Sequence, residues 1–376
     1  MANAPKLLIA ASGTGGHLFP AIALAEQLQS SDPEGSPACE IEWLGVPNRL
    51  ETQLVPKQYP LHTINVEGFQ QRFGLGTLRI LGRLIGSIRQ VRRLLQAGQF
   101  QAVFTTGGYI AGPAIVAARS LGIPAILHES NAFPGKVTRW FGPWCNAVAL
   151  GFESAAQYLP RSQTVWVGTP VREQFQGEAS AIGIESQDNN VTLPIPDGVP
   201  LIAVVGGSQG AVAVNQLVRQ CAPAWFAAGA WIVHLTGEKD PDVCQLQHPH
   251  YFPLPFYNNM AGLLQRADLA ISRAGAGTLV ELAATQTPAI LIPYPYAAED
   301  HQTYNGAIFA AADAALVLRQ TEIVPELLQQ KVLNLLQYPE RLDQMAQKAS
   351  TLAVPDSAER LAKLVFRYLK TQPAKH

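Results

Sequence analysis

Lys6-Leu-Leu-Ile-Ala-Ala-Ser12 runs straight into Gly13-Thr14-Gly15-Gly16-His17, and Leu201-Ile-Ala-Val-Val205 runs into Gly206-Gly207-Ser208-Gln209-Gly210. In each case an apolar strand breaks at glycines and a helical pattern follows. Glycines at a strand's carboxyl end let backbone N–H groups and a helix N-terminus approach an anion with no Cβ in the way. One such turn often does no more than pack a helix closely on a sheet. Two of them, one early and one near mid-chain, point to two Rossmann-like halves and a phosphate-bearing ligand. Neither spells G-x-G-x-x-G with an acid about twenty residues on, so a nicotinamide dinucleotide is not the expected ligand.

The rest of the chain agrees with an α/β reading. Apolar runs at Leu7–Ala11, Ile41–Leu44, Ala102–Thr105, Ala125–His128, Ala147–Leu150 and Val165–Val167 alternate with helical stretches. They resume at Leu201–Val205, Trp231–Leu235, Leu269–Ser272, Ala289–Ile292 and Ala315–Leu318. Such alternation predicts parallel sheets with right-handed crossovers. Between Gln176 and Pro200 the composition turns to Gly, Ser, Asn, Asp and Pro, as in a linker. The expected division is a domain over 1–167, a linker over 168–199, a second domain over 200–356 and a closing segment over 357–376, helical from Ser357 to Thr371.

Bulk composition narrows the classes. The chain has 376 residues, 48% hydrophobic and 15% charged, against about a quarter charged in ordinary domains, so large cores are available and disorder is disfavoured. A net charge of −1 gives no global pull toward nucleic acid. Cys39, Cys145, Cys221 and Cys244 have no C-x-x-C spacing, which reads as a reduced, cytosolic chain without zinc ribbon or disulfide framework. The apolar run before Gly13 is too short for a signal peptide core, and no apolar stretch is long enough to span a bilayer.

Two stretches of the second half carry chemistry. Arg273-Ala-Gly275-Ala276-Gly277-Thr278-Leu279-Val280-Glu281 follows a strand and opens a helix. Thr278-x-x-Glu281 reads either as a capping box or as a helix start whose exposed N–H groups meet a pyrophosphate, with Glu281 accepting from ribose hydroxyls. Downstream, the polar, proline-bounded loop from Pro293 to Asn305 lies where open α/β sheets place ligand contacts. Asp240-Pro-Asp242 spells D-x-D, but its turn-like surroundings read as a solvated loop.

These segments, with Thr106-Gly-Gly-Tyr109-x-x-Gly112-Pro113, His128-Glu-Ser-Asn131-Ala-x-Pro-Gly135 and Asp300-His-Gln302, resemble the MurG family from the first glycine turn to the last helix. The resemblance implies the GT-B fold, two Rossmann-like domains facing across a cleft, with the C-terminal helix returning to the N-terminal domain. It implies an N-acetylglucosaminyltransferase that converts lipid I, the lipid-linked MurNAc-pentapeptide, to lipid II in peptidoglycan synthesis, using UDP-N-acetylglucosamine and no cofactor. Glu281 would bind the ribose, the Ala276, Gly277, Thr278, Leu279, Val280 helix start and Ser208 the diphosphate, Gln302 the sugar and the Tyr257 backbone the uracil. Thr14, Gly15, Gly16, Asn131 and Arg172 would complete the donor site. Gly107, Gly108, Tyr109 and Glu129 would lie on the acceptor side. Ser130 and Tyr257 depart from commoner family spellings, glutamine and an aliphatic residue; Tyr257 leaves the side-chain part of the uracil contact open.

An α-linked donor giving a β-linked product implies one inverting displacement. His17, in the first turn of its helix, is disfavoured as imidazolium there and reads as the general base, or else as a cap that orients phosphate. Helix ends and Arg172 would hold the leaving group, so no metal is expected. Between Glu67 and Glu129 there is no acidic residue, while Arg72, Arg79, Arg83, Arg89, Arg92, Arg93 and Arg119 alternate with apolar residues. This is either an ordinary amphipathic helix or a face for an anionic membrane; stacking aromatics for nucleic acid are missing. A lipid-linked acceptor favours a peripheral protein on the cytoplasmic face of the inner (plasma) membrane. The rivals are a galactolipid synthase, a UDP-N-acetylglucosamine 2-epimerase and a non-catalytic nucleotide-sugar-binding protein.

Overall fold

The computed structural model of the protein describes residues 4–30, 39–66, 75–175, 193–207 and 210–370. The chain divides into two compact units, Met1–Arg172 with Val354–His376, and Glu173–Ala353. In the first, strands β1 (Lys6–Ala10), β2 (Glu40–Gly45), β3 (Leu61–Thr63), β4 (Ala102–Thr105), β5 (Ala125–Glu129), β6 (Ala147–Leu150) and β7 (Thr164–Trp166) lie in the order β3-β2-β1-β4-β5-β6-β7. All neighbours are parallel. Helices α1 (Gly15–Ser30), α2 (Glu51–Leu54), α3 (Leu75–Ala97), α4 (Ala111–Ser120) and α5 (Lys136–Phe141) make the crossovers.

Parallel strands covered on both faces read as unbroken apolar runs, which is why β1 and β4 were legible. Along β1, Leu7 and Ile9 enter one core while Leu8 and Ala10 enter the other. The first core is shared by α1 and, from far along the chain, by a helix whose Leu361, Val365 and Leu369 recur at one-turn spacing.

The second unit repeats the plan with strands β8 (Leu201–Val205), β9 (Trp231–Leu235), β10 (Tyr251–Leu254), β11 (Leu269–Ser272), β12 (Ala289–Leu291) and β13 (Ala315–Val317). Their order is β10-β9-β8-β11-β12-β13, again all parallel. Helices α6 (Val212–Ala227), α7 (Met260–Arg266), α8 (Ala276–Ala284), α9 (His301–Ala311), α10 (Pro325–Gln337) and α11 (Pro339–Ser350) complete it. Helix α12 (Ser357–Lys370) then lies in the first unit, where the Tyr368 hydroxyl donates to the Asn146 carbonyl at 2.9 Å.

Two strands were not foreseen, β3 and β10, and both are sheet edges. β3 is three residues long with His62 at its centre, and β10 contains Pro253, which a strand tolerates at an edge. Several other strand ends differ from the expected ones by a residue or so.

Candidate active site

The chain leaves β1 with Ala10 through Gly13 each held by a side chain from a neighbouring element. The Thr105 hydroxyl donates to the Ala10 carbonyl at 2.7 Å and the Trp43 indole N–H to the Ala11 carbonyl at 2.9 Å. The Ser12 hydroxyl donates to Glu51 Oε1 at 2.5 Å and the Gly13 N–H to Glu51 Oε2 at 3.2 Å. Gly13 has φ +106°, a conformation costly for any residue with a Cβ. The N–H groups of His17 and Leu18 then donate to the Thr14 carbonyl, opening α1. Gly15 leaves room for the Phe19 ring, which would lie 2.7 Å from a Cβ there, and the Arg172 guanidinium stacks on that ring at 4.2 Å. Thr14, Gly15, Gly16, His17 and Arg172 are thereby gathered at one strand end.

His17 is oriented by a backbone carbonyl. Its Nδ1 lies 2.7 Å from the Thr106 carbonyl, and because a carbonyl only accepts, Nδ1 carries the proton. In the neutral ring the lone pair then sits on Nε2, the arrangement a general base needs. Thr106 begins the turn after β4, whose Gly107 and Gly108 take φ +90° and +71° and bring the backbone under the imidazole. The buried Thr106 hydroxyl has no hydrogen-bond partner among the described residues, and Tyr109 is half exposed.

Beyond β5, Glu129 works as a fastener. Its Oε1 accepts from the Asn131 backbone and side-chain N–H groups, both at 3.0 Å. Its Oε2 accepts from Gly135 N at 3.0 Å and Thr138 Oγ1 at 2.5 Å. The carboxylate thus fixes the whole 130–138 loop and the Asn131 amide. His128, fully buried, donates from Nε2 to the Gly168 carbonyl at 2.9 Å and accepts at Nδ1 from Ser130 at 3.3 Å. Burial holds its pKa below the ordinary value, so it is a neutral structural histidine.

In the second unit, Ser208 lies outside the described residues. Around it, a Cβ on Gly206 would stand 2.8 Å from the Ala211 nitrogen, and one on Gly210 would stand 2.7 Å from the Thr236 carbonyl. Underneath runs a buried polar network. Arg219 donates to both oxygens of Asp240 at 2.7 and 3.2 Å, and Asn215 Nδ2 donates to Asp240 at 2.8 Å and to the Thr236 carbonyl at 2.9 Å. Asn215 Oδ1 must therefore accept from His234 Nε2 at 3.0 Å, which leaves His234 Nδ1 to accept from the Tyr251 hydroxyl at 2.8 Å. Burial first, then the Arg219 charge, pushes the His234 pKa down to about 3. Burial alone would raise the Asp240 pKa, but the Arg219 and Asn215 hydrogen bonds hold it below the usual range. The solvated-loop reading of Asp240-Pro-Asp242 is thus corrected: Asp240 is buried and paired with an arginine.

The capping-box reading is corrected too. The cap of α8 is Gly275, in extended backbone with no side-chain cap, so Thr278 is the third helical residue and Glu281 the sixth. The first-turn N–H groups of Ala276, Gly277 and Thr278 have no carbonyl inside the helix to meet, while Leu279 N already bonds the Gly275 carbonyl at 3.0 Å. Glu281 is half-buried further along α8, as is Val280, while Leu279 belongs to the core. Gln302, half-buried at the start of α9, accepts from Tyr294 N at 2.9 Å, so its Nε2 end is the one left for a ligand. Tyr257 is buried, so its ring packs inside the unit.

Sequence reasoning missed several residues that build these turns. Glu51 and Trp43 lie outside every motif that the sequence singles out. Arg273 and Asn305 stood inside quoted motifs but without a role. Arg273 is buried, donates to the Ile292 carbonyl at 3.0 Å and lies over Tyr294 at 5.3 Å, tying the ends of β11 and β12 together. Asn305 donates to the Ala274 carbonyl at 3.2 Å. Glu299 and Asp300 both take left-handed backbone just ahead of α9, φ +55° and +56°, a strained entry of the kind that gathers at functional loops.

On α3, Arg83, Arg89 and Arg93 are exposed beside Ile85, while Val91 and Leu95 are buried. Arg92 instead donates to the Ser120 carbonyl and hydroxyl at 3.1 and 2.6 Å, pinning α3 to α4. Arg72 lies outside the described residues, as does the Arg79 side chain. Among the described residues no helix is long and apolar enough to cross a membrane.

Comparison with known proteins closes on one group. Residues 7–150 match the Glycosyltransferase family 28 N-terminal domain and residues 201–361 the Glycosyltransferase family 28 C-terminal domain. The chain is 66% identical over 372 residues to the UDP-N-acetylglucosamine–N-acetylmuramyl-(pentapeptide) pyrophosphoryl-undecaprenol N-acetylglucosamine transferase of Nostoc punctiforme, covering 99% of this chain and 100% of that one. It is 68% identical over 366 residues to the protein of the same name from Trichormus variabilis, covering 97% and 98%. The crystal structure of Acinetobacter baumannii MurG is similar with a TM-score of 0.75 and 30% identity, over 97% of this chain and 100% of that one.

Proposed function

The chain belongs to the MurG family of glycosyltransferase family 28, and from that premise we propose that it transfers N-acetylglucosamine from UDP-N-acetylglucosamine to the 4-hydroxyl of lipid-linked MurNAc-pentapeptide. Its fold is GT-B, with two Rossmann-like units. The observation that carries the proposal is the likeness, over nearly the whole length, to transferases named for this donor and acceptor.

The residues support a stepwise account. The acceptor O4 attacks the anomeric carbon as the bond from that carbon to the diphosphate oxygen breaks, inverting the centre and releasing UDP. His17 Nε2 takes the acceptor proton, its tautomer set by the Thr106 carbonyl. The first turn of α8 offers N–H groups and a positive helix end to the diphosphate, and Arg172 adds a fixed cation. Glu281 accepts from the ribose hydroxyls, Gln302 donates from Nε2 to the sugar, and the Tyr257 backbone meets the uracil. Glu129 and the Gly107–Tyr109 turn serve the acceptor side. No metal is assigned a role, so turnover should persist in excess EDTA.

Incubating the purified chain with radiolabelled UDP-N-acetylglucosamine tests the reading. A labelled disaccharide lipid from lipid I is the expected product. Product from diacylglycerol would make it a galactolipid-type enzyme, epimerised UDP-sugar without acceptor would make it an epimerase, and donor binding without turnover a sensor or scaffold.

The acid-free arginine face of α3 supports a peripheral position on an anionic, cytoplasm-facing membrane. Each arginine near such a surface contributes about 1 kcal/mol. Replacing Arg83, Arg89 and Arg93 with glutamine, while keeping the Arg92 pin, should release the protein from anionic vesicles without loss of turnover on a water-soluble acceptor. Unchanged vesicle binding would make α3 an ordinary amphipathic helix.

A further inference from the structure

We infer that Glu51 is a positioning residue for the transfer reaction: its buried carboxylate sets the first glycine turn, and through it His17. The inference rests on the reading of His17 as the base. Glu51 opens α2, a helix of four residues in a stretch, Arg49-Leu-Glu-Thr-Gln-Leu54, that reads as ordinary surface. Yet its side chain is fully buried. Both oxygens are engaged: Oε1 accepts from Ser12 Oγ at 2.5 Å and Val46 N at 2.7 Å, and Oε2 accepts from Gly13 N at 3.2 Å. Gly45 makes room for it, since a Cβ there would lie 2.7 Å from Glu51 Cγ.

Burying a carboxylate is costly unless donors surround it, and an apolar side chain of like volume would fill the same space without that cost. Packing alone therefore does not account for a carboxylate here; its directed bonds do. Two of the three fall on the residues of the turn that nothing else described holds by a side chain, and the third, from Val46 N, anchors the carboxylate beside its own helix. Ala10 and Ala11 are fastened by Thr105 and Trp43, and Ser12 and Gly13 by Glu51. Gly13 itself meets nothing within 4 Å of a notional Cβ, so its left-handed backbone is not forced by crowding. The Glu51 bond to its N–H is what fixes it, and the next residue, Thr14, carries the carbonyl that starts α1 and seats His17 at its third position.

The full-length enzyme with UDP-N-acetylglucosamine and lipid I provides the test, through Glu51→Gln alone, His17→Ala alone, and the pair. Glutamine keeps the size but turns one acceptor into a donor facing Ser12, Gly13 or Val46. The expected result is a fall in kcat of at least about tenfold with donor KM within about twofold, since the α8 helix start, Glu281, Gln302 and the Tyr257 backbone, which are given most of the UDP-sugar contacts, lie in other segments than this turn. Because Glu51 acts through His17, adding Glu51→Gln to His17→Ala should lower kcat no further. Multiplicative losses in the double variant, or a Glu51→Gln kcat near that of the wild type, would overturn the inference. If Glu51→Gln does not fold, Ser12→Ala opens the same clamp from the other side; reduced kcat with unchanged donor KM supports the inference and wild-type kcat overturns it. Failure of the parent enzyme to use lipid I would instead count against the assigned reaction.

Discussion

The first glycine turn is held by side chains reaching in from its neighbours, whereas the second is held by how closely backbone packs on backbone. At Gly13 a Cβ would meet nothing, and the turn owes its shape to Glu51, Trp43 and Thr105. At Gly206 and Gly210 a Cβ would strike backbone at 2.8 and 2.7 Å, and the polar groups lie a layer deeper, in the Asn215–Asp240–Arg219 network. Directional bonds fix where one imidazole sits, which suits a turn that does chemistry. Close packing fixes the backbone at Gly206 and Gly210, as a phosphate-holding turn would require. The same sequence signature, apolar strand then glycines then helix, thus serves two physical designs.

Variants that separate chemistry from binding test that contrast most severely. His17→Ala should lower kcat by about 10²–10⁴ with a much smaller change in donor KM, measured by steady-state kinetics at saturating acceptor. Weaker UDP binding with little change in kcat would give the first turn a phosphate-holding role and dissolve the distinction.

The next effect is on stability. Gly210→Ala combines positive φ with a clash against the Thr236 carbonyl, each worth about 1–3 kcal/mol, whereas Gly13→Ala meets only the conformational term. Urea denaturation should therefore rank Gly210→Ala as clearly more destabilising. Equal losses would show that crowding is not what sets the second turn.

Acid should find the second unit's network. His234 has a folded pKa of about 3 against an ordinary 6.5, so the unfolded chain binds the extra proton between those values. Its contribution is complete above pH 6.5 and is lost as pH falls toward 3; at about 1.4 kcal/mol per pH unit, some 2 kcal/mol should be gone by pH 5. His234→Gln should flatten this part of the stability–pH curve. His128 titrates in the same direction and will remain as a background slope.

The smallest effect concerns α8. Since Gly275 is the cap, Glu281→Ala should leave the melting temperature nearly unchanged while raising donor KM by about tenfold, roughly 1.4 kcal/mol. A loss of stability of the size of a missing cap, about 1 kcal/mol, with unaltered KM would restore the capping role.

What the sequence could reveal followed from what is locally encoded. Buried parallel strands such as β1, β4 and β8 are apolar over nearly their whole length, so their positions were plain; β3 and β10, at sheet edges, need no such run, and His62 and Pro253 hid them. The glycines after β1 and β8 were visible because positive φ or a forbidden Cβ leaves a mark in composition. Glu51 left none, and Asp240 stood out only as half of a D-x-D spelling that hid its arginine partner. A carboxylate looks the same whether it meets water or a ring of donors, and those donors arrive from residues 38 and 21 positions away. The capping-box alternative for Thr278 and Glu281 fails for the opposite reason: the local pattern is real, but the helix begins three residues earlier, at a glycine that the strand end already positions.

The placement of α12 bears on how the molecule is made. Its Leu361, Val365 and Leu369 belong to the same core as Leu7 and Ile9 of β1. The second unit, Glu173–Ala353, is therefore an insertion between two parts of the first. On a ribosome, domains fold as their residues emerge. Here the earlier half must wait, with an apolar face of α1 uncovered, until residues 357–370 have been synthesised, while the later half has all its strands in hand sooner. The unit that starts first finishes last, and that interval is when this chain is most exposed to misassembly.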